Sequence, residues 1–338
     1  MIDKKKEMIV LSFIAYQGFW ETDPQKVKNL VENTLSMKLL MPFIGKQELV
    51  WGPARTKGKQ VFDVAMMYAV NNKSNPSEYT VVIRGTNPIS LWSWWNEDLK
   101  IIKQIPWEYG KAPAQAKISQ ASHTALHLLQ DLKPEESIPG AGQTINAFLQ
   151  DIINSGKAKT IYVTGHSLGG CMAPTLALWL KDTLTGIDDI DLSVYAYAGP
   201  TAGNGTFAQY SNSRLTNCIR YANHYDIAVH WCNEEALLEL DNLYEPYISP
   251  SEAEKKLIAA TAKAAKDKDY TQIDSLNDVP GDVYTVIKEY LAQAIYQHTF
   301  PYLYLVVAKE QAPAIVKAVG MDSLLEESTL ANYKEDLY

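Results

Sequence analysis

An α/β fold, with a mostly parallel central sheet and helices on both of its faces, is predicted for this chain from three observations. Short apolar or β-branched runs alternate with segments of helical spacing along most of the 338 residues. Such alternation needs crossover connections, and crossovers imply parallel strands. The apolar run Thr160-Ile161-Tyr162-Val163-Thr164 leads into Gly165-His166-Ser167-Leu168-Gly169-Gly170 and then into a helical pattern through Met172, Ala173, Leu176 and Leu178. Finally, 46% of residues are hydrophobic and no tract is of low complexity, enough for one large core or two smaller ones.

Taken in order, 8–17 and 24–37 read as helices. The segments 61–70 and 79–83 read as strands, parted by the turn-rich 71–76. Helical spacing returns over 119–132 and 144–154, ahead of the strand that ends at Ser167. A strand over 192–197 runs to a turn at Gly199-Pro200, a short strand follows at 218–221, and 302–308 is predicted as the last strand. Between about 233 and 296 the pattern is helical without strands. There Ser249-Pro250-Ser251-Glu252 has the form of a capping box with proline at the first helical position. The Ala/Lys-rich 252–268 continues as a surface helix, and a second helix is expected from Asp282 to about Tyr296, after the break at Pro280-Gly281. This region reads as an insertion in a single domain spanning 1–338, followed by one or two short helices in 310–338.

Composition narrows the function. A net charge of −8, with no long Lys/Arg run, argues against nucleic acid and against electrostatic docking on anionic membranes. Three cysteines are too few for a disulfide framework; buried free thiols are expected, with a Cys218–Cys232 bridge as the alternative. Lys4-Lys5-Lys6 before an apolar run superficially resembles a secretion signal. Asp3 and Glu7 interrupt its basic region, however, and bulky Gln17-Gly18-Phe19-Trp20 stands where small cleavage-site residues belong. An opening helix is expected instead, in a soluble protein that is cytoplasmic or exported by a non-classical route. No apolar stretch approaches the length of a membrane span.

The Gly-x-Ser-x-Gly stretch between strand and helix has the form of a nucleophile elbow, in which a sharp turn exposes the serine and tolerates only small neighbours. A serine hydroxyl needs an oriented base, normally histidine. Six histidines are available. His166 lies inside the elbow, its side chain directed away from that of Ser167. His123 and His127 are one helical turn apart, a spacing that could bind a metal. No glutamate follows His123 and no third ligand is evident, so a surface or core pair is expected and no metal or other cofactor. On a doubly wound sheet the triad runs Ser, acid, His. Asp226, after the strand at 218–221, stands where the orienting carboxylate belongs, and Asp188, Asp189 and Asp191 precede their strand at the opposite sheet edge. His224 and His230 flank Asp226 too closely to reach Ser167, which leaves His298 as the base. For a developing oxyanion, one donor is the backbone N–H of Leu168 and the other that of Thr86, in the glycine turn Arg84-Gly85-Thr86.

At this point the chain resembles the class 3 lipase family of α/β-hydrolases. The matching pieces are Val81-Val82-Ile83-Arg84-Gly85-Thr86, Trp95 with Asp98-Leu99, and Val163 through Gly170. Tyr197-Ala198-Gly199-Pro200 with Gly203-Asn204, Arg220 through Asp226, and Tyr296-Gln297-His298 complete the set. They span roughly 60–300 in the family's order. The resemblance implies an α/β-hydrolase fold, Ser167 as nucleophile, His298 as base, Asp226 as its orienter, and Thr86 with Leu168 as oxyanion pair. It implies a serine hydrolase of carboxylic esters, foremost a lipase acting on acylglycerols at an oil–water interface. A phospholipase A1 or a soluble carboxylesterase is the alternative, and a non-catalytic acyl-binding protein the reading from another class. Family members carry a lid after the oxyanion strand; here 88–96 would form it, with Ile89, Trp92 and Trp95 on one helical face. The chain departs from the family after the acid, where Ile227-Ala228-Val229-His230-Trp231-Cys232 runs into the helical insertion instead of a proline-containing stretch.

Overall fold

The computed structural model describes residues 2–56, 65–86, 103–231, 233–326, 329–333 and 336. Their centre is a seven-stranded sheet in the order β1-β2-β3-β6-β7-β8-β9. The strands are β1 Gln47–Arg55, β2 Met66–Asn72, β3 Glu78–Ile83, β6 Thr160–His166, β7 Asp191–Tyr197, β8 Asn217–Ala222 and β9 Leu276–Asp278. From β3 to β9 every pairing is parallel, while β1 and β2 extend the β3 edge antiparallel. A separate hairpin pairs β4 Gln104–Pro106 with β5 Lys117–Ser119.

Strand alternation divides the core. Val81, Val163, Val194 and Cys218 stand in register across the parallel strands and share one cluster with the helices Gln120–Asp131, Ile145–Asn154 and Leu168–Thr183. Tyr68, Val82, Tyr162 and Tyr197 point the other way, into a cluster with the helices Lys4–Ile14, Pro24–Leu35, Tyr290–Leu303 and Ala312–Ala318. With both faces covered, the parallel strands are buried runs, as such sheets require.

The N-terminal helix Lys4–Ile14 bears on the site below. Asp3 caps it by accepting from the Lys5 N–H, and every residue from Glu7 to Ile14 is buried. A helix apolar on all sides belongs inside, between sheet and helices. At its start, Lys4 Nζ pairs with Glu7 (2.9 Å) and with Glu78 at the head of β3 (2.7 Å). It therefore runs from the amino-terminal edge of the sheet toward the carboxyl-terminal edge, where it delivers Tyr16.

Several expected elements differ. Residues 302–308 form no strand: they begin within the helix Tyr290–Leu303 and continue into turns. That helix is buried on nearly every residue, so its sequence lacks the polar face that distinguishes helix from strand. The second helix of the insertion starts only at Tyr290 and is this same element. The 233–296 region does contain a strand, β9, whose three residues are all exposed and carry no apolar pattern. The capping box is made by Ser251 with Glu254, not by Ser249, and Pro250 precedes the cap. β1 was not anticipated, and β2 begins at Met66. Cys171 and Cys218 are free, buried thiols; burial pushes them up to about 11 and about 12, and Cys232 lies outside the described residues. Among the described residues no helix is long and apolar enough to cross a membrane.

Candidate active site

β6 ends at His166 and the helix Leu168–Thr183 starts two residues later, so Ser167 alone makes the turn, at φ 63° and ψ −128°. A non-glycine residue held there costs about 1–3 kcal/mol and persists only where its surroundings enforce it. They do so by hydrogen bonds: Ser167 N–H donates to Tyr197 O (3.0 Å) and Ser167 O accepts from Cys171 N–H (3.1 Å). Packing is as tight. A Cβ on Gly165 would lie 2.3 Å from Gly169 O, and one on Gly169 would lie 2.3 Å from Ile83 O. The elbow thus fits only with glycine at both positions.

The turn after β3 abuts it. A Cβ on Gly85 would fall 2.2 Å from Tyr16 Oη and 2.9 Å from Ser167 Cβ, which puts Gly85-Thr86 beside the serine. Thr86 is buried and its hydroxyl has no hydrogen-bond partner. Leu168 opens the helix, where the first N–H groups lack intrahelical acceptors and the dipole is positive.

Asp226 follows β8 and is fully buried. Its Oδ1 accepts from Ala228 N–H at 2.9 Å, its Oδ2 from Tyr302 Oη at 2.8 Å, and both oxygens lie 2.9 Å from His298 Nδ1. A carboxylate only accepts, so the proton of the neutral imidazole sits on Nδ1 and Nε2 keeps the free lone pair. This is the tautomer a general base requires. Burial first, and the nearby Asp226 second, push the Tyr302 phenol well above its ordinary range, so it stays a donor.

Asp226 and His298 are therefore in contact. Ser167 Oγ and His298 Nε2 are both buried, and no hydrogen bond joins them to each other or to another partner. Such bonds commonly tighten only when substrate is bound. The two segments do meet through His166, whose ring centroid is 4.7 Å from that of His298 and whose Nε2 donates to His298 O at 2.8 Å. Its Nδ1 accepts from Tyr16 Oη at 3.0 Å. Burial, with His298 adding to it, pushes His166 well below the usual histidine range and keeps it neutral.

The other candidates lie elsewhere. His230 donates from Nε2 to His224 O (2.8 Å) with Nδ1 3.4 Å from Glu239 at the end of the helix Glu234–Glu239, an arrangement local to the segment after β8. His123 and His127 face each other at 3.1 Å on the exposed side of their helix. Among the described residues no three His, Cys, Asp or Glu converge to hold a metal. Asp191 starts β7, at the sheet edge away from Ser167, and Asp188 pairs with Lys181 at 2.7 Å. Ile89, Trp92 and Trp95 lie outside the described residues. Sequence reasoning missed Tyr302, Tyr16 and Asn223. Tyr302 is four residues from His298, one helical turn, a relation hidden once 302–308 was read as a strand.

The profile of a family described as Lipase (class 3) matches residues 80–235. Among solved structures, that of M37 lipase is 35% identical, covers 97% of this chain and 98% of its own, and superposes with a TM-score of 0.86. Lipase II from Rhizopus niveus is 18% identical over 69% of this chain and 76% of its own, with a TM-score of 0.51. A variant of MDLA from Penicillium cyclopium is 14% identical over 83% and 81%, with a TM-score of 0.50. These two share the fold. No match was found among curated protein sequences.

Proposed function

The chain belongs to the class 3 lipase family and is a carboxylic ester hydrolase of the lipase type; we propose that it cleaves acylglycerols with Ser167 as nucleophile, His298 as general base and Asp226 as the orienting acid. The observation that carries this reading is the pairing of a strained Ser167 at the elbow with a buried His298–Asp226 couple at 2.9 Å, its tautomer already that of a base. In the mechanism His298 Nε2 takes the Ser167 proton as Oγ attacks the ester carbonyl. The imidazolium that forms is stabilised by Asp226. The backbone N–H groups of Thr86 and Leu168 receive the oxyanion. His298 then protonates the leaving alcohol, and water repeats the cycle on the acyl-enzyme.

Ser167→Ala or His298→Ala should lower kcat by about four to six orders of magnitude with the fold intact, and Asp226→Asn by on the order of 10⁴. Near-normal turnover by any of the three removes that residue from its role. A fluorophosphonate should label Ser167 and no other serine. For the substrate, rates across short, medium and long acyl esters and a phospholipid decide between a lipase and the phospholipase or esterase alternative. A long-chain ester emulsion tests interfacial action: a lipase of this kind gains activity sharply above the solubility limit.

A further inference from the structure

His298 sits in a helix with a fault in it. Pro301 has no N–H, so the carbonyl four residues earlier, that of Gln297, loses its helix donor. A buried carbonyl left bare is costly, and here a side chain supplies the bond: Asn223 Nδ2 donates to Gln297 O at 3.0 Å and to Gln297 Oε1 at 2.7 Å. The next carbonyl, that of His298, accepts from His166 Nε2 at 2.8 Å. Two consecutive carbonyls beside the imidazole are thus gripped from outside the helix.

The donors come from telling places. His166 immediately precedes Ser167, and Asn223 stands three residues before Asp226. Both are fully buried and each is itself held in orientation. Asn223 Oδ1 accepts from Tyr225 N–H at 3.1 Å, which fixes its amide, and its backbone N–H donates to Tyr302 Oη at 3.0 Å. Gly281 packs so closely that a Cβ there would lie 2.4 Å from Asn223 Oδ1. On the other side Nε2 of His166 faces a carbonyl, so it must carry the ring proton. Nδ1 is then an acceptor, and the Tyr16 hydroxyl donates to it at 3.0 Å.

We propose that His166 and Asn223 are positioning residues for the base: they clamp the main chain at Gln297 and His298 and so hold the imidazole between Ser167 and Asp226. The inference rests on the roles proposed above for those three residues. Its logic is geometric. The single His298 imidazole follows any shift of its own backbone, and a displacement of about 1 Å at the base costs on the order of 10² in rate. Fixing the backbone from the nucleophile's own segment and the acid's own segment makes the three move as one body.

The test is kinetics on a soluble p-nitrophenyl ester with His166→Leu, His166→Gln and Asn223→Ala, each made in the wild-type and in the His298→Ala background, with thermal melts to identify folded variants. His166→Leu and Asn223→Ala should each lower kcat about 10–100-fold with KM changed less than about twofold. His166→Gln, whose amide can still donate toward His298 O, should recover part of the loss. In the His298→Ala background neither His166→Leu nor Asn223→Ala should lower the residual rate further, because the clamp acts only through the imidazole. Full kcat in the folded single variants overturns the proposal, as does an equal loss with and without His298. If His166→Leu does not fold, Asn223→Ala is read in the same way. Wild-type turnover by His298→Ala itself would instead overturn the assignment of the base, a separate result.

Discussion

The Tyr302 hydroxyl offers a way to separate what stabilises Asp226 from the orienting role proposed for it. It is fully buried, donates to Asp226 Oδ2 at 2.8 Å and accepts from Asn223 N–H at 3.0 Å. Tyr302→Phe removes both bonds and almost no volume. A hydrogen bond to a charged group contributes about 1.5–3 kcal/mol, and a buried N–H left unpaired costs about 1–3 kcal/mol. The two losses share one oxygen and do not add in full, so a destabilisation of about 2–4 kcal/mol is expected. Asp226 keeps its bonds from Ala228 N–H and His298 Nδ1. Turnover should therefore fall by only about tenfold, against on the order of 10⁴ for Asp226→Asn. Equilibrium unfolding in urea, read as a change in midpoint at constant slope, gives the first number, and kcat on a soluble ester gives the second. A variant less than about 0.5 kcal/mol weaker than wild type would refute the bonding scheme, since a fully buried donor cannot be removed from a carboxylate at so little cost. A loss of turnover equal to that of Asp226→Asn would refute the partition between support and catalysis.

Two further outcomes follow from the same geometry. Gly169→Ala forces a methyl to 2.3 Å from Ile83 O, backbone against backbone, so the elbow and the β3 turn must separate; a loss of at least about 3 kcal/mol in stability, with activity gone in whatever folds, is expected from melts and ester assays. The pH dependence of stability should carry a component from His166, because burial holds its folded-state value well below the ordinary 6.5. Below that ordinary value the unfolded chain takes up a proton that the folded protein refuses. Stability should thus fall on acidification from about pH 6.5, with a slope of up to about 1.4 kcal/mol per pH unit for this group. Urea melts between pH 7 and pH 5 should show a shallower decline in His166→Gln, and an unchanged slope would mean that His166 is protonated in the native state.

How legible the molecule was depends on which physical rule each residue obeys. Strands at the sheet centre announce themselves: β6 and β7 are buried on both faces and bounded by turn residues, so apolar content alone finds them. The helices 120–131 and 145–154 keep one wet face and therefore a visible period. The helix Tyr290–Leu303 keeps none: its first half falls within the helix expected to end near Tyr296, and its last two residues within the strand expected over 302–308. β9 failed in the opposite sense, being wholly exposed and held by its backbone pairing to β8. Such pairing leaves no trace in side-chain pattern.

His298 was nevertheless singled out although its element was read wrongly, and that asymmetry is physical. Its selection rested on chain order and on the chemistry a serine needs, neither of which depends on whether residue 298 precedes a strand or sits within a helix. What was lost with the helix was everything periodicity would have supplied. With a turn of 3.6 residues, Tyr302 lies one turn beyond His298 and meets the same carboxylate. With an i→i−4 ladder, Pro301 strips the donor from Gln297 and calls for one from outside. With a strand begun at Tyr302, Pro301 is only the residue before it, and no helical turn relates Tyr302 to His298. The roles proposed for individual residues can therefore be read from the sequence where their supports cannot. The roles follow from reactivity, and the supports follow from the one element whose burial erased its pattern.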